Sequence, residues 1–415
     1  AVYAVQLNSP ARQGFRSASG TPLPVTTVVF RTSAAAQPRI ARQRAIVPGR
    51  SVTELGPVYP DPNRRWTVLL YLSADCNLEG DVLEDINDIE RTIPAEGVEV
   101  VALVDRHKDF DKSDGDWTEA RVYRLLPDDE GREEIRSELL AQCGELNLGD
   151  PAVLSQFLTA AAVTFPAPRY AVLFGGHGAG WEGGFEDADA PKPPRFDKDG
   201  RAIKQPEGDI LDLGEMRVGL AGAIKARNAG PWDLLIFDQC LMGQIEVAWA
   251  CSDLAQYMVF SEAVSSGFRV GKWVPAFAEP GADGGTMARR IVSEVKGVYE
   301  DLGDETRTAS AIDTSRVAEV VAALNALAEK LRPLPIQHWR AISQGLFSAR
   351  SYNGQANHLY SSLATAPSSR DLLDVVEKVR AHLGAAFNAE AERRRLEAAV
   401  RACVIADYQG RSFAN

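Results

Sequence analysis

The chain is poor in the residues that build metal and disulfide scaffolds. Its 415 residues include five cysteines, five histidines and four methionines. No two cysteines form a Cys-x-x-Cys pair, which argues against a structural zinc centre. Cys76, Cys143, Cys240, Cys251 and Cys403 are thinly spread and odd in number. A disulfide framework is therefore excluded, and at least one thiol is free or paired between chains. No apolar run is long enough to cross a bilayer. A basic excess is also missing: 45 Lys and Arg stand against 57 Asp and Glu, for a net charge of −12. That balance speaks against a nucleic-acid footprint. The chain starts at Ala1 with no methionine and no signal-peptide pattern, as in a processed or trimmed polypeptide.

What is present reads as a globular protein. Hydrophobic residues make up 45% and charged residues 25%, enough for two or three domains around sizeable cores. Residues 1–63 are rich in Ser, Thr, Pro, Ala and Arg, with one β-like run at 25–31, and read as an N-terminal arm or pro-segment. Residues 64–313 alternate strands with helices. Buried strands are expected at 66–72, 98–104, 170–174, 234–237 and 257–261, and a hairpin-like edge strand at 118–126. Asp150 with Pro151, and Asp212 with Glu215, are helix starts. A strand–helix–strand unit opening this region predicts a largely parallel sheet with right-handed crossovers. Residues 314–415 read as mainly helical, with helices at 317–331, 342–349 and 372–401 and a last strand at 403–407. Between these elements, 186–208 contains four prolines and many charges without an apolar period, and predicts a long exposed loop.

Two stretches share one design. Residues 170–181 (YAVLFGGHGAGW) run an apolar strand into glycines and His177. Residues 232–243 (WDLLIFDQCLMG) run a second one into Asp238 and Cys240. Neighbouring parallel strands would present His177 and Cys240 side by side at the C-terminal rim of the sheet, where α/β proteins place their ligands. A base beside a thiol raises its thiolate fraction, and the thiolate is the nucleophile. Alone, each residue reads as ordinary packing. Cys251, in a helical pattern, and Cys403, in a strand pattern, read as core, and Cys76 is the one rival nucleophile.

In combination, these motifs resemble the caspase-like cysteine peptidases, and more closely the clostripain family. Four stretches carry the likeness: 66–79 (WTVLLYLSADCNLE), 144–151 (GELNLGDP), 170–181 and 233–248 (DLLIFDQCLMGQIEVA). It extends weakly through 308–314 and 402–410, and spans roughly residues 64 to 415. The resemblance implies a caspase-like three-layer sandwich, with a mostly parallel central sheet, helices on both faces and a helical C-terminal region packed against it. It implies a cysteine endopeptidase in which Cys240 attacks the scissile carbonyl and His177 protonates the leaving amine. The N–H groups of Gly178 and Cys240 would form the oxyanion hole, and Asp238 would floor the primary pocket. Cleavage after Arg or Lys of a polypeptide substrate follows. The other reading of Asp238 is a turn residue capping its strand.

The resemblance also implies processing within the 186–208 loop, where Lys192, Arg195, Lys198, Arg201 and Lys204 offer basic sites, against the plainer reading of a solvated insertion. The dyad needs no cofactor. Calcium is expected as a structural or activating ion, with Asp187, Asp189, Asp197 and Asp199 as weakly assigned ligands that lack EF-hand spacing. A secreted, periplasmic or envelope protein is expected over a cytoplasmic one. The sequence departs from the family after Ser261 and Glu262, where it reads AVSSGF in place of further acids, so the pocket rim differs. Two other classes stay open: a catalytically silent binding module on the same fold, and an amidase or transpeptidase using the same dyad.

Overall fold

Side chains of an extended strand alternate between its two sides, and here both sides are buried. In the strand β3, Trp66–Ala74, every residue is enclosed. Val68, Leu70 and Leu72 enter one apolar core, while Leu69 and Tyr71 enter another. A sheet with a core on each face needs helices on each face, and that is the architecture in this computed structural model. It describes residues 2–6, 27–31, 51–128, 134–188, 190, 195–196, 202–203, 208–352 and 369–413.

The chain divides into Ala1–Ala45 and Ile46–Asn415. In the first unit, β1 (Val2–Gln6) pairs antiparallel with β2 (Thr27–Arg31). In the second, β3 leads through α1 (Glu79–Thr92) to β4 (Val98–Arg106), then to β5 (Ala120–Leu125) and β6 (Glu138–Gly144). Next come α2 (Pro151–Thr164), β7 (Arg169–Gly175) and β8 (Gly184–Asp187). Two two-residue strands, β9 (Arg195–Phe196) and β10 (Ala202–Ile203), pair with each other, and β11 (Asp209–Leu211) pairs with β8. Then follow α3 (Leu213–Arg227), β12 (Trp232–Asp238), α4 (Ile245–Cys251), β13 (Ala255–Phe260), α5 (Gly284–Asp301) and β14 (Thr308–Asp313). The chain continues through α6 (Val317–Leu331), α7 (Pro335–Ser348), α8 (Leu372–Leu383), α9 (Glu390–Cys403) and β15 (Val404–Gln409).

The main sheet has nine strands in the order β15-β14-β13-β12-β7-β3-β4-β5-β6. The five central strands, β13 to β4, are parallel, and each margin adds two antiparallel strands. α2, α3, α4, α6 and α9 contribute to one core, and α1 and α5 to the other. The largest enclosed side chains include Trp66, Trp232 and Trp273, at 0–1% exposure. Each is worth roughly 3–5 kcal/mol against truncation to alanine.

The helix starts fall where capping chemistry predicts. Asp150 accepts the Ala152 N–H ahead of Pro151, and Asp212 and Glu215 form a reciprocal capping box. Other boundaries differ from expectation. The pattern at 372–401 is two helices, because the chain turns at Gly384 with φ +52°. α7 begins at Pro335, whose fixed φ suits a first helical turn. Cys403 closes α9 and is not a strand residue. The strand expected at the edge, β5, is covered by β6.

Candidate active site

β7 and β12 are adjacent and parallel, with Gly175 opposite Asp238. His177 and Cys240 each stand two residues beyond that pair, so both leave the sheet at the same height. The turns that carry them touch through backbone. A Cβ on Gly178 would lie 2.4 Å from the Cys240 carbonyl oxygen and 3.1 Å from its nitrogen. Only glycine fits there. Gly176, at φ +125°, lets the chain pass the Ser73 carbonyl oxygen, which a Cβ would meet at 2.9 Å. Gln239, between Asp238 and Cys240, donates from Nε2 to the His177 carbonyl at 2.6 Å, and Phe185 N–H donates to the same oxygen at 3.0 Å. The histidine backbone is thus held from two sides.

The His177 ring is 4% exposed, and its Nε2 lies 2.6 Å from Asn77 Oδ1. With that oxygen as acceptor, the ring proton sits on Nε2 and Nδ1 is the ring's acceptor. Burial pulls the imidazole down to about 4, so it rests neutral at pH 7. Cys240 is buried as well, and burial pushes its thiol up. Two features oppose that shift: the Ser265 N–H, which donates to Sγ at 3.4 Å, and the Arg307 guanidinium. The turn continues through Leu241 in the left-handed region, at φ +66°. Its N–H is bonded to the Ala263 carbonyl and its side chain is buried, which supports the strained conformation.

A pocket of about 270 Å³ opens beside Cys240, between α1 and the 265–270 segment. Asp238, Asp85 and Asp81 line it with Arg269, three carboxylates against one cation. Burial pushes Asp238 up to about 6, against the pull of the Phe268 N–H. Both Asp238 oxygens accept that N–H at 2.9 Å. Asp85 is raised well above the usual carboxylate range, by burial and then by the charge of Asp238. Arg269 is held at the pocket by Glu84, at 3.0 Å. Asp238 therefore anchors the neighbouring loop and also lines the pocket.

The structure brings together His177, Gly178, Asp238 and Cys240. Among the basic residues of the 186–208 segment, Arg195 opens β9, and Lys192, Lys198, Arg201 and Lys204 lie outside the described residues. Asp189, Asp197 and Asp199 lie outside them too, whereas Asp187 is fully buried, so the loop expected to be exposed from 186 onward encloses its second residue. Asn77, Gln239, Ser265 and Asp85 were not legible as site residues. Asn77 sits in the small polar turn after β3, and Asp85 on the acidic face of α1, and neither position signals its partner. The other thiols are buried: Cys76, Cys143 and Cys251 are each raised to about 12 by burial, and Cys403 to about 11.

Comparison with known proteins bears on this arrangement. Clostripain from Hathewaya histolytica is 29% identical over 201 residues, which cover 45% of this chain and 36% of that protein. The chain thus matches about a third of clostripain's length. A secreted C11 cysteine protease from Bacteroides thetaiotaomicron, in complex with an irreversible peptide inhibitor, superposes with a TM-score of 0.57 at 17% identity, covering 83% of this chain and 84% of that one. An inactive zymogen C11 protease from Parabacteroides distasonis superposes at 0.51 and 16% identity, covering 85% and 86%. These likenesses show a shared caspase-like fold. A sequence model of the Clostripain family, Peptidase_C11, matches residues 70–406, most of the chain and all of the strand ends described above. The chain belongs to the clostripain family of cysteine peptidases.

Proposed function

We propose that this chain is a cysteine endopeptidase that cuts polypeptides on the carbonyl side of arginine or lysine, with Cys240 as nucleophile and His177 as acid–base. The observation that carries the reading is an acid-lined pocket opening at the thiol, with His177 and Cys240 at one height on adjacent strands.

A basic side chain would enter the pocket and pair with Asp238, beside Asp85. That placement sets the scissile carbonyl against Cys240 Sγ. Buried thiol and buried imidazole both rest neutral, so proton transfer to His177 accompanies attack. As Sγ bonds to the carbonyl carbon, the carbonyl oxygen gains negative charge. The N–H groups of Gly178 and Cys240 are the donors proposed to receive it, and a preorganised donor of this kind contributes about 3–4 kcal/mol. The imidazolium then gives its proton to the departing amine, leaving a thioester on Cys240. Water, activated by His177, hydrolyses the thioester and restores the thiol. Self-cleavage at a basic residue of 186–208 and an extracellular setting belong to the same proposal. The secreted protease among the structural neighbours supports the setting.

The test is hydrolysis of two matched fluorogenic peptides, ending in Arg or in Asp before the reporter, by the parent chain and by Asp238→Asn. Asparagine keeps an oxygen for the Phe268 N–H but loses the charge. The expected result is Arg-selective turnover, with kcat/KM reduced about a hundredfold in the variant while its Tm stays within a few degrees. Equal turnover of both peptides, or equal loss of folding and activity in Asp238→Asn, would sink the pocket assignment.

A further inference from the structure

The segment that runs beside Cys240 is held from one place. Residues 261–267 follow β13, and two consecutive residues at the start of β14 fix both halves of that stretch. Thr308 Oγ1 accepts the N–H groups of Glu262 at 2.9 Å and Ala263 at 3.1 Å. The Ala263 carbonyl accepts the N–H of Leu241, the residue after Cys240. Arg307 Nε donates to Ser266 Oγ at 2.6 Å. The preceding residue, Ser265, meets the sulfur through backbone alone: its N–H donates to Sγ at 3.4 Å, and its carbonyl oxygen lies 4.0 Å away. Thr308 thus holds the backbone that carries the thiol, and Arg307 holds the turn that bonds it.

Arg307 is itself built into the fold. Its guanidinium pairs with Asp304 at 3.0 Å and donates from Nη1 to Thr306 Oγ1 at 2.9 Å, and its side chain is 15% exposed. Its carbonyl accepts the Gly410 N–H at 2.9 Å. The cation opposes the effect of burial on the thiol, and Asp238 acts the other way. Asp304 offsets part of the arginine's charge. Further titratable groups on these elements are His177, which rests neutral, Glu262, bonded to Ser310, Tyr299, 3.1 Å from Ser265 Oγ, and Tyr352. We propose that Arg307 is a positioning residue for the Cys240 nucleophile: it holds the 265–266 turn so that the Ser265 N–H is aimed at the sulfur, and its charge favours the thiolate as the proton leaves for His177. This inference rests on Cys240 being the nucleophile of the proposed reaction.

The experiment follows alkylation of the full chain by iodoacetamide as a function of pH, with Cys240→Ala as blank for the other thiols, alongside hydrolysis of the Arg-terminated peptide. Alkylation needs the thiolate, so its pH profile reads the sulfur without any substrate. Arg307→Gln should slow alkylation about tenfold at pH 7 and move its rise to higher pH. It should lower kcat about tenfold as well, with KM within about twofold of the parent. Arg307→Lys keeps the charge and should recover most of the alkylation rate. Ser266→Ala removes the tie and keeps the charge, and should slow alkylation about threefold. A folded Arg307→Gln with the parent's profile would overturn the proposal. An equal loss in Arg307→Lys would overturn it too, leaving packing as the role of the side chain. If Arg307→Gln does not fold, Ser266→Ala carries the test, and a parent-like profile there is the overturning result. Peptide turnover that survives Cys240→Ala is a separate failure, that of the nucleophile assignment.

Discussion

Two turns leave parallel strands of the same sheet, and each carries a cysteine. Cys76 follows β3, and Cys240 follows β12. Both thiols are buried, and burial raises both. Their charged neighbours differ. Cys76 lies among Glu186, Asp75 and Glu79, each of which disfavours a thiolate, and its Sγ points to the Ser73 carbonyl at 3.6 Å. Cys240 receives the Ser265 N–H and the field of Arg307. A strand end at the rim of a parallel sheet is thus insufficient for reactivity. Each sulfur has a backbone donor, Leu78 N–H at Cys76 and Ser265 N–H at Cys240, so the contrast lies in the charges: three acids around Cys76, and Arg307 set against Asp238 around Cys240.

The sharpest test of this contrast is substitution of each thiol. Cys240→Ala should lower turnover of an Arg-terminated peptide by about 10⁴-fold or more, whereas Cys76→Ala should leave it within twofold. Comparable losses in both would erase the distinction. A second test moves the pH. The Asp238 carboxyl is raised to about 6, so it takes up a proton as pH falls through that value and loses its attraction for a guanidinium. kcat/KM for Arg substrates should therefore drop below about pH 6, because this ratio reports the free enzyme. His177, lowered to about 4, should add its own limb only at more acid pH. Asp238→Asn should remove the limb near 6 and retain the lower one. A smaller loss than that of Cys240→Ala is expected of Asn77→Ala. Losing the acceptor at Nε2 frees the ring tautomer and should lower kcat about tenfold with KM nearly unchanged, a split that a merely structural role would not give.

The interior of the fold was readable because buried parallel strands are continuous apolar runs. β3, β4, β7 and β12 all stand out this way. The antiparallel margins were harder, since β5 and β6 mix buried with half-exposed positions. His177 and Cys240 were legible because glycines or a polar turn break an apolar run beside each of them. Asn77 was not, because its partner lies 100 residues away, nor was Gln239, whose partner lies 62 away. A polar residue in a turn looks the same whether it faces water or a buried imidazole.

Asp238, Gln239 and Cys240 divide three tasks among consecutive residues: lining the pocket, clamping the His177 carbonyl and presenting sulfur. Asp238 closes β12, and Gln239 and Cys240 already belong to the turn beyond it, so the assignment depends on the length of that turn. One residue inserted before Cys240, or one removed, would shift the clamp and the sulfur off these positions, and a matching shift near His177 would separate the turns that Gly178 lets touch. The site can absorb changes of side chain at several of these positions, but its length is counted from the last paired residues, Gly175 and Asp238, and leaves no room for a change of one.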